Sequence, residues 1–143
     1  MSSCPLPIRS FAWDDLEAVL DLWRGAGPGV HLGPSDAPEE IRKKLTRDPD
    51  LFLVSEEQGR IVGAVMGGYD GRRGLVYHLA VRPDERRRGL GTTLMDELEQ
   101  RLRSKGCLKV YLLITPDNLD IMEYYRRRGW GVMDTAIMGK ELQ

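Results

Sequence analysis

The residues of this chain best suited to chemistry concentrate at Arg86-Arg87-Arg88-Gly89-Leu90-Gly91, where an apolar run has just ended and a long helical period begins. Glycines at such a junction let a ligand approach the main chain. The first N–H groups of a helix have no acceptor one turn earlier, so they face outward as donors. Arg86, Arg87 and Arg88 add positive charge in a planar fork that suits phosphate oxygens. The ligand so favoured carries a diphosphate; the plainer alternative is a glycine-rich turn with three solvated arginines. A Walker loop is excluded because no Gly-Lys-Ser or Gly-Lys-Thr follows, and the dinucleotide-binding pattern fails because its third glycine position is Leu94.

Periodicity supplies the elements that must position this loop. Leu90, Leu94, Met95, Leu98 and Leu102 keep the helical period up to Gly106, which predicts a long amphipathic helix directly after the glycines. Before it, Leu51 to Val54, Ile61 to Met66 and Leu75 to Val81 are apolar runs separated by Gln58-Gly59 and Asp70-Gly71, turn pairs that predict three consecutive antiparallel strands. Asp14 and Glu17 have capping-box spacing ahead of Leu16, Val19, Leu20 and Trp23, which predicts a first helix ended by Gly25. Pro38-Glu39-Glu40 opens a second helix that Asp48-Pro49 closes, and Gly25 to about Pro38 reads as the loop between the two. After Gly106, Leu108 to Ile114 reads as a strand, Asp120 to Arg128 as a helix and Trp130 to Gly139 as a last strand. The order β-α-α-β-β-β-α-β-α-β predicts an α/β (α+β) class, a mixed sheet flanked by helices with parallel strands either side of the long helix.

At 143 residues the chain is sized for one domain, residues 1–143, with a single core. Hydrophobic residues at 41% and charged residues at 30% exclude a disordered class. A net charge of −1 gives no broad basic field, so no nucleic acid partner is expected despite the arginine triplets. Cys4 and Cys107 stand far apart and outside any Cys/His array, which signals neither a disulfide framework nor a metal site. Met1 to Ser10 lacks the apolar run of a signal peptide and no stretch reaches the length of a membrane span, so a cytoplasmic location without membrane contact is expected.

Two motifs in order give the chain a family resemblance. Leu79-Ala80-Val81-Arg82-Pro83 followed by Arg86 to Gly91 resembles the strand, proline linker and Arg-x-x-Gly-x-Gly loop of the GNAT N-acetyltransferase superfamily. Asn118, Tyr125 seven residues on, and Gly129-Trp130 resemble that superfamily's second signature. The likeness runs through nearly the whole chain, and Gly63 to Gly74 is further similar to a small YpeA-like bacterial branch.

The resemblance implies the GNAT acyltransferase fold, with its mostly antiparallel sheet, and transfer of an acetyl group from acetyl-CoA (coenzyme A) to a primary amine of a small molecule or peptide. It implies a cofactor held mainly by backbone in an opening between the strand ending near Val81 and the strand Leu108 to Ile114. Leu79, Ala80 and Val81 would offer main-chain groups to the thioester and pantetheine. Arg86, Arg87, Arg88, Gly89, Leu90, Gly91 and Thr92 would cradle the pyrophosphate, and Asn118 and Tyr125 would also contact the cofactor. Leu79 N–H is placed as the oxyanion donor and Tyr125 as the general acid for the departing thiolate. Relatives that acetylate protein N-termini carry a glutamate where this chain has Leu113, which argues against copying their base and admits a second reading, a CoA-binding sensor or partner module. Pairing into a homodimer is common among relatives.

On the acceptor side, strand alternation groups Tyr77 with Leu75 and Leu79 and turns His78 away. Tyr77 is therefore expected to face substrate, with Tyr69 and Trp23 as further lining groups, although Trp23 also fits ordinary packing. His78 reads as a packed, hydrogen-bonded core histidine and His31 as an exposed loop residue, so neither is assigned as the base.

Overall fold

The computed structural model describes residues 6–142, with the side chains of residues 86–88 outside the description. Two tight turns set the sheet. β2 (Phe52–Glu57) and β3 (Arg60–Tyr69) meet at Gln58 and Gly59, whose φ values of 53° and 78° are the pair of left-handed residues a two-residue hairpin turn requires. β3 turns into β4 (Arg73–Val81) through Asp70, whose Oδ1 accepts the N–H groups of Arg72 and Arg73 at 2.7 and 2.8 Å. A short β1 (Ile8–Ser10) adds antiparallel to the outer edge of β2, and β5 (Lys109–Leu112) adds parallel to β4. The spatial order is β1-β2-β3-β4-β5, so the expected mixed and mostly antiparallel sheet is present with one parallel pair.

Alternation sends the two sides of each strand to different cores. On one side, α1 (Leu16–Arg24) and α2 (Pro38–Arg47) pack Leu20, Trp23 and Ile41 against Phe52, Val54, Ala64 and Met66. On the other, α3 (Leu90–Ser104) presses Leu90, Leu94, Leu98 and Leu102 onto Leu53, Val62, Val65 and Val76, joined by Tyr125 of α4 (Met122–Arg127). Burying each such side chain contributes about 1.5–3 kcal/mol. Close approach of α3 depends on two missing side chains of β3. A Cβ at Gly63 would lie 2.9 Å from Leu94 Cδ1, and one at Gly67 would lie 2.6 Å from Leu98 Cδ1.

Two expectations are corrected. The chain does not enter α1 through an Asp14/Glu17 capping box. It passes through a 3-10 turn, Trp13–Asp15, in which Asp15 Oδ2 accepts the Ala12 N–H at 2.8 Å. Asp15 also receives Arg9 at 2.8 and 2.9 Å, and Arg9 donates to Glu56 at 2.7 Å, so this carboxylate ties β1, β2 and the start of α1 together. Arg9 first of all holds the Asp15 carboxyl below its usual range. The expected last strand, Trp130 to Gly139, is not a strand: residues 131–142 have no ladder partner and lie exposed. The segment does not join the outer edge of β5, and apolar residues alone do not make a strand.

Replacing Gly67 by Ala should destabilise the fold by about 1–3 kcal/mol, the usual cost of overpacking, read as a lower urea midpoint. Gly33→Ala, where nothing lies within 4 Å of the added Cβ, should leave the midpoint in place. Because the Asp15 pKa is depressed in the folded state, its contribution is present above the ordinary carboxylate range and lost as pH falls through the depressed value. The stability gap between wild type and Asp15→Asn should therefore close on acidification, as followed by denaturant unfolding across acidic pH.

Candidate active site

The arginine-glycine loop folds as a 3-10 segment, Pro83–Arg88, which ends at Gly89 in the left-handed conformation (φ 72°, ψ 20°). Gly89 is the N-cap of α3, and Thr93 donates to the Gly89 carbonyl through both its N–H and its Oγ1, each at 3.1 Å. The N–H groups of Leu90, Gly91 and Thr92 precede the first intrahelical acceptor and stand as helix-terminal donors. The side chains of Arg86, Arg87 and Arg88, assigned to phosphate from the sequence, lie outside the described residues. Gly91 faces the end of β4: a Cβ there would make ordinary contact, at 3.8–4.0 Å, with Val81, Leu79 and the Tyr124 hydroxyl.

β4 and β5 pair only from Arg73↔Lys109 to Val76↔Leu112. β4 then continues to Val81, while the chain after Leu112 departs toward a second 3-10 segment, Pro116–Ile121. The pairing with β5 stops at Val76 while β4 runs on to Val81, and the opening leads to the start of α3. Leu79, Ala80 and Val81 lie beyond the last β4–β5 pair, while Ala80 and Val81 stay paired to β3 through Ala64 and Gly63.

α4 closes the opening from the far side. Tyr125 is buried, with ring edges against Tyr124 and Trp130 at centroid distances of 5.2 and 5.8 Å. Burial foremost, and then the neighbouring Tyr124, pushes its pKa up to about 12. Tyr124, which the sequence did not single out, reaches the loop directly: its hydroxyl pairs with Thr92 Oγ1 at 2.5 Å. Arg128 lies 3.9 Å over the Tyr124 ring and donates from Nε to the same Oγ1 at 3.2 Å. Adjacent tyrosines were the available signal, but only the fold shows which one meets Thr92. Asn118 sits in the Pro116–Ile121 turn with its side chain against Gly29 of the α1–α2 loop, where a Cβ would collide with it. In the same region His31 pairs with Asp117 at 3.0 Å.

On the α1–α2 side of the sheet a cavity of about 740 Å³ opens between α2 and β4, and Tyr77, His78 and Tyr69 line it. The face assignment made from simple alternation is corrected here. Tyr77 pairs with Met66 and Ala80 with Ala64, so His78 and Leu79 together oppose Val65 in a bulge, with His78 at φ 45°. The extra residue leaves Tyr77 and His78 on one face and sends Leu79 to the α3 side, against Gly91. His78 is packed and hydrogen-bonded, as expected, but at the cavity wall: its side chain is 16% exposed, and Nε2 lies 2.9 Å from Asp36 Oδ1. Trp23, expected to line the pocket, is 1% exposed and instead supports the His78 ring edge-on at 4.9 Å. Tyr77 is 41% exposed, and burial of the rest raises its pKa. Tyr69 stands at the opposite end, its hydroxyl against the carbonyls of Gly71 and Lys105. The Asp36–His78 pair spans 42 residues, so no local pattern could have revealed it.

Among the described residues no helix is long and apolar enough to cross a membrane, and no group of three His, Cys, Asp or Glu is placed to hold a metal ion.

Comparison with known proteins agrees with this geometry. The sequence model described as the acetyltransferase (GNAT) family matches residues 16–130. An acetyltransferase of Pectobacterium atrosepticum is 44% identical over 138 residues, covering 96% of each chain. One of Sodalis glossinidius is 42% identical over 139 residues at the same coverage. Of solved structures, Ard1 from Thermoplasma volcanium superposes with a TM-score of 0.78 at 24% identity, covering 91% of this chain and 85% of its own. The PaiA N-acetyltransferase of Thermoplasma acidophilum in complex with coenzyme A also superposes at 0.78, with 21% identity and coverage of 95% and 94%. A strand pair that parts over a glycine-capped helix, on a chain this close to named acetyltransferases, places the protein in the acetyltransferase (GNAT) family as an acyltransferase of that type.

Proposed function

We propose that the chain transfers an acetyl group from acetyl-CoA to a primary amine, carried by a small molecule or peptide, by direct attack. The parting of β4 from β5 beyond Val76 and Leu112, beside the left-handed Gly89 that opens α3, carries this reading. An extended arm bearing amide groups can complete the interrupted ladder as a strand would. A diphosphate suits the donors at the start of α3. Gly91 also supports the fit, because its missing side chain leaves the loop close to Leu79 and Val81 without filling the space between them.

Acetyl-CoA, when bound, supplies an activated thioester. The chain's own groups do the rest. The Leu79 N–H donates to the carbonyl oxygen as charge develops there, a contribution that strengthens toward the transition state. Tyr125 keeps its proton throughout the neutral range, since its pKa stands at about 12, and gives it to the departing sulfur. Leu90, Gly91 and Thr92 orient the diphosphate through their N–H groups, with Arg86, Arg87 and Arg88 assigned to the same anion from the sequence. No metal enters this scheme.

Calorimetry with CoA and release of free CoA in the presence of amines test the reading. Gly89→Ala forces a side chain into the left-handed region, so the fold should lose about 1–2 kcal/mol, read as a lower urea midpoint, and relaxation of the turn away from its φ of 72° should weaken CoA binding. Tyr125→Phe should lower kcat by about 10²–10⁴-fold while CoA affinity stays near wild type, with Tyr124→Phe as the comparison. Tight acetyl-CoA binding with no amine-dependent release would instead assign a CoA-binding sensor.

A further inference from the structure

We propose that His78, held by Asp36, is the catalytic base that takes the proton from the acceptor's ammonium group inside the cavity between α2 and β4. The inference rests on the acetyl-transfer reading and adds the group that reading lacks, since an alkyl ammonium with a reference pKa of about 10.4 cannot attack until it loses a proton.

Three independent observations converge on His78. Its ring lines the cavity while the next residue, Leu79, supplies the N–H assigned to the thioester oxygen, so an amine at the ring sits one residue from the reacting carbonyl. Its backbone is strained: outside the Gln58 turn it is the one non-glycine position with positive φ among the described residues, and such strain collects where function fixes a side chain. Its ring is oriented on two sides, by the 2.9 Å contact to Asp36 and by the Trp23 ring beneath it. An ionised carboxylate only accepts, so Asp36 requires the proton on Nε2 and leaves Nδ1 as an acceptor.

The other carboxylates that line the cavity are already engaged. Asp48 accepts Lys44 at 2.7 Å, Glu40 pairs with Lys43 at 2.8 Å, and Asp70 accepts two main-chain N–H groups. Tyr77 has a raised pKa, so its phenol stays protonated at neutral pH.

The step balances as follows. R–NH3⁺ gives one proton to His78 Nδ1 and becomes R–NH2, and the imidazolium later passes that proton to solvent through the cavity mouth. The amine nitrogen then forms the bond to the acetyl carbon and the carbon–sulfur bond breaks. The nitrogen gives its second proton to solvent at the cavity mouth, and the sulfur leaves as a thiol on receiving one from Tyr125, which is restored from solvent. The products are the amide, free CoA and one released proton.

The test uses two probe amines with acetyl-CoA: n-butylamine, protonated at neutral pH, and hydroxylamine, which is not. His78→Gly suits the positive φ, and His78→Asn tolerates it while lacking a basic nitrogen. Both should lower butylamine acetylation by about 10²–10⁴-fold and hydroxylamine acetylation by far less. Added imidazole should restore butylamine activity to the glycine variant, whose side-chain space it can fill. Asp36→Asn, altering a positioning residue, should show the same selectivity for the protonated amine, which a general loss of fold would not produce. In nitrogen-15 spectra of the unliganded protein, His78 should carry its proton on Nε2, and Asp36→Asn should abolish that preference. Equal losses on both amines, full butylamine activity in His78→Asn, or a proton on Nδ1 in the wild type would each overturn the assignment while leaving acetyl transfer standing. A wild type that acetylates neither probe removes the acetyl-transfer reading, and this proposal with it.

Discussion

Beyond Val76 and Leu112 the ladder between β4 and β5 ends, and the proposed contacts to the donor's extended arm depend on the main-chain groups of β4 that β5 does not pair there. A sheet normally pairs such groups, because an unpaired N–H or C=O removed from water costs as much as a lost hydrogen bond. Here the chain leaves the ladder early, at a four-residue β5, and turns through Pro116–Ile121. The same departure carries α4 round to bring Tyr124 against Thr92, so the opening and its far wall form together.

Holding that opening in place depends on how closely α3 lies on the sheet. Gly63 and Gly67 have no side chains to keep Leu94 and Leu98 away, and α3 therefore starts beside the end of β4 rather than above it. Gly89 completes the arrangement by taking a conformation that side chains resist, turning the 3-10 segment into the helix within one residue. Packing in the second core thus sets where the first N–H groups of α3 stand.

Much of this was legible in the sequence because it rests on local signals. The two hairpin turns, the period of α3, the stop at Gly106 and the parallel pair around α3 all have near-neighbour causes, and each is present in the fold. The errors fall where tertiary context decides. Asp14 and Glu17 have the right spacing for a capping box, but Asp15 is the residue that Arg9 reaches from a neighbouring strand. Trp130 to Gly139 has strand-like composition but does not join the outer edge of β5. Alternation through Leu75, Tyr77 and Leu79 holds only until the bulge inserts one residue, and nothing in the types Tyr77-His78-Leu79 announces it. The loop motif and the Asn118–Tyr125 spacing were visible as a family likeness, whereas the Asp36–His78 contact joins segments that only folding brings together.

The bulge also separates two jobs that a regular strand would mix. After it, Leu79 points toward α3 and in the proposed reaction serves through its peptide group, whereas Tyr77 and His78 present side chains to the cavity. Backbone donors do not depend on residue type, so the donor end can tolerate drift in sequence provided the strand path survives. The acceptor end is written in side chains alone, and a few exchanges there can redirect specificity without rebuilding the machinery next to it. A scaffold divided in this way is open to divergence on one face while remaining conservative on the other.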